Sequence, residues 1–337
     1  EKRLNQGYAV TLRYSSIRPD LPNILKDIVE KGWNIFHHLM MTTDGSTPMF
    51  HEDGVMDKCI RAALAAGVNP IDAYNMASYN VAKYYGVSNL HGMISTGRFA
   101  TLNVLTDEFT PVPEAVMAKG QWMVRDGEEV FDWPEECFEE FTPLALDFEL
   151  HESDFQFSIP FGIQLVNDVI TKPYSVNLHL NKQAVVQNED ECYLMLIDKF
   201  GKWHVNTFLK GFAKNVQGFA STYSTTGDVI LIGKSIEAMM QAFNEVKKLG
   251  GGIVLIENEQ VIASIPLTVG GLMSDLPMEQ LIEQEKELIA KLRERGFDKG
   301  DAIYSLLFLQ STHLPYIRIT PKGLYDVMKK NILLPAM

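Results

Sequence analysis

One short stretch, Thr42-Thr43-Asp44-Gly45-Ser46, sets a carboxylate among hydroxyls and a glycine, directly after a run rich in large apolar residues. An ionised Asp at the end of a strand can ligate a divalent cation or take a proton from a metal-bound water. Barrels of alternating strands and helices place their catalytic groups at that position. The same Asp and Ser also serve as a helix N-cap or close an Asx-turn, and pattern alone favours that capping role.

The other chemistry-bearing residues are scattered. His37, His38, His51, His91, His151, His179, His204 and His313 include no HxH or HExxH spacing. His37 and His38 are adjacent, so on a strand they face opposite sides and do not share a metal. Each histidine reads as structural, and no complete metal site is visible. Gly250-Gly251-Gly252 lies between an expected helix and an expected strand, where glycine serves as a C-cap. A phosphate cradle needs its glycines between a strand and the start of a helix. Arg98 beside Gly97 carries no signal alone. Neither GxSxG, nor a P-loop, nor a Cys-His pair can be recognised.

The elements that must position Asp44 follow from pattern. Tyr8–Arg13 reads as a strand, and Arg18-Pro-Asp-Leu-Pro opens a helix reaching about Lys31. Trp33–Thr43 is a second strand candidate. Gly54–Ala66 carries apolar residues at helical spacing closed by Gly67, and Asn69-Pro70 starts a further helix. Strand, helix, strand, helix in this order implies parallel β/α units with loops at the strand C-termini. From about Gly92 to Asp132, short alternating runs broken by Gly and Pro read as a small all-β unit. Asp132–Ser158 is acidic and aromatic, with Glu135, Glu136, Glu139 and Glu140 close together, and reads as a solvated connector. A second mixed domain begins near Ile159. Its expected strands are Tyr193–Ile197, His204–Leu209, Val229–Ile232, Ile253–Ile256 and Val261–Ile265, with helices at Ser235–Leu249 and Met278–Arg295.

The 337 residues amount to about two domains' worth of chain, enough for a sizeable core without disulfides or metal. Thirty Lys and Arg against 43 Asp and Glu leave a net charge of −13. That balance argues against nucleic acid and anionic membranes as partners, since both need a basic surface. No apolar run approaches the roughly 18–20 residues of a membrane span, and the first ten residues are no secretory signal. Cys59, Cys137 and Cys192 are odd in number and far apart, so neither a disulfide framework nor a zinc knuckle is expected. A reducing cytoplasm is the simplest home. The chain opens at Glu1 in a strand-like run and reads as the later part of something longer.

The stretch from Thr42 to Gly45 resembles the last barrel strand of the amidohydrolase superfamily. Gly92-Met-Ile-Ser-Thr-Gly-Arg-Phe-Ala-Thr-Leu-Asn-Val-Leu105 is similar to that superfamily's return into its small β domain. Further on, Lys210-Gly211-Phe212, Ala220-Ser221, Ile232-Gly233, Gly250–Gly252, Pro266-Leu267 and Gly271-Leu272-Met273-Ser274 stand in the order of the bacterial adenine deaminase family. So do Leu307-Phe308-Leu309, Leu314-Pro315 and Ile319-Thr320-Pro321-Lys322-Gly323-Leu324. The set covers nearly the whole chain.

The resemblance implies an α/β fold in four parts. Residues 1–91 are the last β/α units of a TIM-like barrel, and residues 92–132 part of a small β-sandwich domain. Residues 133–158 are a connector, and residues 159–337 a C-terminal mixed α/β domain. It implies a hydrolase that converts adenine to hypoxanthine and ammonia in purine salvage, with Mn²⁺ or Fe²⁺ as cofactor and a purine base as its small-molecule partner. The family's Asp at the end of the last barrel strand ligates metal and shuttles the proton, a role that falls on Asp44. Arg13, Ser15 and Ser16 match a family Arg-x-Gly-Ser stretch and line the pocket on this reading, with capping as their alternative. The remaining ligands belong to earlier barrel strands, so those strands are expected from the same or a partner chain, and the isolated chain is expected to be incomplete. A homo-oligomer is left open.

Two departures bear on substrate. Where the family has a His-Asp-Ser-His-Asn run, this chain has Ser221-Thr-Tyr-Ser-Thr-Thr-Gly-Asp228, one residue shorter and without histidine. Thr101 and Asn103 also replace the usual Asp and apolar residue of the β-domain return. Two alternatives follow: an amidohydrolase acting on another cyclic amide or aminopurine, or an inactive, metal-free ligand-binding relative.

Overall fold

The computed structural model describes residues 1–134, 142–157, 161–176 and 189–337, and the chain divides into two units, Glu1–Glu136 and Cys137–Met337. The acidic cluster Glu135, Glu136, Glu139 and Glu140, together with Cys137, Ile159 and His179, lies outside the described residues.

In the first unit, α1 (Lys2–Asn5) precedes β1 (Val10–Arg13). Helix α2 (Leu21–Glu30) starts with a proline in its first turn, where the amides have no intrahelical partner and a missing N–H costs nothing. Its buried Leu21, Leu25 and Ile28 recur every three to four residues, a single stripe toward the core. The chain returns as β2 (Leu39–Thr42), parallel to β1 with Val10 opposite Leu39 and Arg13 opposite Thr42. This is a right-sized β-α-β unit, the parallel arrangement expected from pattern.

The strand expected over Trp33–Thr43 is shorter, because Phe36–His38 form a 3-10 turn. His37 and His38 are therefore not on opposite faces of a strand. Successive residues of such a turn lie a third of a revolution apart, and the two rings pack with centroids 4.1 Å apart.

Leu12, Leu39 and Met41 join Leu21, Leu25, Cys59 and Ala63 in one core. Alternation along the strands puts Thr11, Arg13, Met40 and Thr42 on the opposite face, away from the helices. Helices α3 (Met56–Ala65), α4 (Pro70–Ala77) and α5 (Tyr79–Tyr84) follow, and Asn69 caps α4 by accepting from the Ile71 N–H. A four-stranded antiparallel sheet closes the unit, with β3 (Leu102–Val104), β4 (Ala115–Ala118), β5 (Gln121–Arg125) and β6 (Glu128–Glu129) in sequence order.

The second unit is built on β7 (Phe161–Leu165), β8 (Thr171–Ser175), β9 (Glu191–Ile197), β10 (His204–Lys210), β11 (Gly218–Ser221), β12 (Val229–Gly233), β13 (Gly252–Glu257) and β14 (Gln260–Pro266). They form one sheet in the order β14-β13-β11-β12-β9-β10-β7-β8, antiparallel except where β7 meets β10. All seven residues of β9 are buried. Cys192, Leu194 and Leu196 point into one core and Tyr193, Met195 and Ile197 into another. A strand covered on both faces reads as an unbroken apolar run, and each fully buried Leu or Ile contributes about 1.5–3 kcal/mol.

Helix α6 (Ile236–Leu249), capped by the Ser235 side chain and ended by left-handed Gly250, covers one face through Met239, Phe243 and Val246. Helices α7 (Met278–Glu294) and α8 (Ala302–Gln310) cover the other. So does the three-stranded sheet of β15 (Ile317–Thr320), β16 (Gly323–Asp326) and β17 (Asn331–Pro335). Residues 144–157 correct the solvated-connector reading. Leu146, Leu150 and Phe155 are buried against the α6 face, and the Leu144 N–H donates to the Gly250 carbonyl at 2.7 Å.

Cys59 and Cys192 are free and buried, and burial pushes their thiols up to about 11 and about 12. No helix among the described residues is long and apolar enough to cross a membrane.

Candidate active site

Asp44 stands two residues beyond the end of β2 with a left-handed backbone, φ 54°. Aspartate is one of the few side chains that tolerates this region, because its carboxylate bonds locally. Here Oδ1 accepts the Gly45 N–H at 2.9 Å, and the Asp44 N–H donates to Thr42 Oγ1 at 3.0 Å. The second oxygen, Oδ2, lies 3.2 Å from Arg13 Nη1, at the end of the neighbouring strand. Both side chains are roughly half exposed, 43% for Arg13 and 49% for Asp44. Asp44 caps no helix: the next helical turn, Pro48–His51, has Thr47 at its N-cap position.

Of the other two expected pocket residues, Ser16 joins the same cluster. Its N–H donates to Ser46 Oγ at 3.2 Å, and that hydroxyl donates to the Thr43 carbonyl at 3.1 Å. Ser15 is fully buried, with its backbone paired to Arg18. The hydroxyls of Ser15 and Ser16 are buried without a hydrogen-bond partner among the described residues. The ends of β1 and β2 thus gather a carboxylate, a guanidinium and two uncommitted hydroxyls. A carboxylate so held, open to water, can accept a proton or offer an oxygen to a hard cation.

Among the described residues no group of three or more His, Cys, Asp or Glu could hold a metal ion. Asp44 fits one ligand position of a divalent cation, and the described residues do not complete such a site. Arg98 and the Gly250–Gly252 run, also singled out by sequence, are structural. Arg98 Nε donates to the Ser88 carbonyl at 2.7 Å. Gly250 is the C-cap of α6, and a Cβ on Gly251 would stand 2.5 Å from the Gly271 Cα. His51 is lowered by burial and by the nearby Lys58 ammonium, and His204 is lowered by burial.

The Ser221–Asp228 segment is tied to itself and to α8. Thr222 Oγ1 donates to the Gly271 carbonyl at 2.5 Å and accepts the Gly252 N–H at 2.8 Å. Gln310 accepts the Thr225 N–H at 2.7 Å and donates to Thr226 Oγ1 at 2.9 Å. Ser224 Oγ donates to the Asp228 carbonyl at 2.7 Å, and burial pushes the Asp228 carboxyl up.

One supporting residue escapes sequence reasoning. Asn80 of α5 is buried and donates to the Phe36 and Leu39 carbonyls at 2.9 and 2.8 Å, which pins the start of β2. Nothing in Ser78-Tyr-Asn-Val-Ala82 marks it.

Residues 7–123 match the family described as the amidohydrolase family, and residues 168–331 match the adenine deaminase C-terminal domain. A Halalkalibacterium halodurans protein named "Putative adenine deaminase" is 51% identical, aligned over 100% of this chain and 58% of its own length. A Bacillus subtilis protein of the same name is 46% identical over 100% of the chain and 58% of its own length. An "Adenine deaminase" from Cenarchaeum symbiosum is 29% identical over 99% and 57%. The chain therefore spans somewhat over half the length of these relatives.

Proposed function

The chain belongs to the adenine deaminase family of amidohydrolases, and we propose that the complete protein hydrolyses adenine to hypoxanthine and ammonia. One observation carries this reading: Asp44 lies at the C-terminal end of the second of two parallel strands, its carboxylate held from the first by Arg13. Residues 1–91 contribute the last β/α units of the barrel and 92–132 part of the small β domain. Asp44 would offer one oxygen to a divalent cation, Mn²⁺ or Fe²⁺, which when bound would acidify a water toward neutrality. The Asp44 carboxylate is the group that would accept a proton and return it to the departing amino group, while Ser15 and Ser16 line the pocket. The test is Asp44→Asn in the complete protein with adenine as substrate. Loss of at least about 10²-fold in turnover is expected, the low end for a general base. Unchanged turnover would end the assignment.

The Ser221–Asp228 loop favours a second reading. It lacks the family's histidines and its hydroxyls are engaged within the fold, so the substrate is another cyclic amide or aminopurine. A panel of hydrolysable rings compared with adenine separates the two. Stoichiometric metal in the purified complete protein separates both from a metal-free binding relative.

A further inference from the structure

Arg13 and Asp44 are 31 residues apart and meet only through strand register. Arg13 ends β1 opposite Thr42, which ends β2, and both lie on the face away from the helix core. Asp44 Oδ1 is held from within its own turn by the Gly45 N–H, and Oδ2 is held from the neighbouring strand by Arg13 Nη1 at 3.2 Å. The two contacts together fix the carboxylate plane. With side chains 43% and 49% exposed, the pair adds little to stability. Its consequence is geometric, because a carboxylate on an exposed turn otherwise samples several rotamers.

We propose that Arg13 is a positioning residue. It holds Asp44 in the rotamer the reaction needs and acts through that carboxylate, not on the substrate. The proposal rests on the reading of Asp44 as the base of the reaction. Only one guanidinium nitrogen makes the contact, so a lysine ammonium can replace it.

The experiment uses the complete protein and the variants Arg13→Met, Arg13→Lys, Asp44→Asn and the Met/Asn double. Adenine turnover is read alongside crystal structures of the wild type and Arg13→Met. Arg13→Met is expected to lower kcat about 10-fold or more, since a small misplacement of a reacting group is costly. KM stays within about two-fold, because no substrate contact is lost. Arg13→Lys recovers kcat to within about three-fold, and the double variant turns over like Asp44→Asn, since the two residues act as one unit. In the Arg13→Met crystal the Asp44 carboxylate leaves its wild-type rotamer. A raised KM with unchanged kcat overturns positioning in favour of substrate contact, and additive losses overturn it too. An Asp44 carboxylate unmoved in the Arg13→Met crystal overturns it whatever the kinetics. If Asp44→Asn keeps full turnover, or adenine is not consumed, the deaminase reading fails. The crystal comparison then still decides whether Arg13 sets the carboxylate.

Discussion

Arg13 in the first unit and Arg318 in the second are both strand residues, and the fold uses them in opposite ways. Arg318, in β15, is fully buried, and its two terminal nitrogens donate to the backbone carbonyls of Val169, Phe308 and Pro315. Burial pulls its guanidinium down to about 10, still charged at neutral pH. Arg13 keeps one bond, to a carboxylate, at a strand end open to water. The loops differ in the same way. Ser221–Asp228 engages its side chains with carbonyls, amides and Gln310, whereas Thr42–Ser46 sits beside the uncommitted hydroxyls of Ser15 and Ser16. The Ser221–Asp228 side chains and the Arg318 terminal nitrogens hold the fold together, whereas the Asp44 carboxylate at the end of β2 stays open to water.

Arg318→Met gives the hardest test of that contrast. It strands the buried carbonyl of Val169 and the part-buried carbonyls of Phe308 and Pro315, and should cost about 3–5 kcal/mol in urea titration. A loss below about 1 kcal/mol would mean that Arg318 is as dispensable to the fold as an exposed arginine. Asp44→Asn comes next, with at least about 10²-fold lost in turnover and an unchanged urea midpoint. A large stability loss there would make Asp44 a structural residue and erase the difference between the loops. Thr222→Val sharpens it from the other side, costing about 1–3 kcal/mol while leaving turnover per folded molecule intact.

The smallest effect concerns pH. Burial lowers His204 below its usual 6.5, so the folded chain binds that proton less tightly than the unfolded chain. Its contribution is complete above pH 6.5 and is lost as acidification protonates the unfolded chain first. His204→Gln should flatten the decline of the urea midpoint below that pH; an identical decline would remove His204 from the account.

What the sequence makes legible follows from burial geometry. Strands β9, β12 and β13 are covered on both faces and stand out as apolar runs. Helix α8 escapes for the opposite reason: Ala302–Leu309 is apolar nearly all round and shows no stripe. Strand β8 contains Lys172-Pro173, tolerable only because it is the sheet's edge, which no local pattern reveals. Leu146, Leu150 and Phe155 pack on the sheet without helix or strand period, hence the connector reading. Asp44 is legible as a carboxylate in a turn after an apolar strand. Its pairing with Arg13 is not, because it depends on the parallel register of two strands separated by a helix.

The parallel contact between β7 and β10 also sets an order of assembly. From β9 to β14 every neighbour in the sheet is joined antiparallel; β9–β10, β11–β12 and β13–β14 are consecutive strands, while β9–β12 and β11–β13 close around the elements between them. The β7–β8 hairpin pairs in register with β10 at Leu209 and Lys210 alone among the described residues, with the Thr207 hydroxyl donating to the Phe161 carbonyl beside them, and gains its place once β10 is already paired with β9 over seven residues. In refolding, the amides of β9 to β14 should gain protection first and those of β7 and β8 last. The edge of the sheet is then the final piece to close, and the Arg318 contact to Val169 locks it.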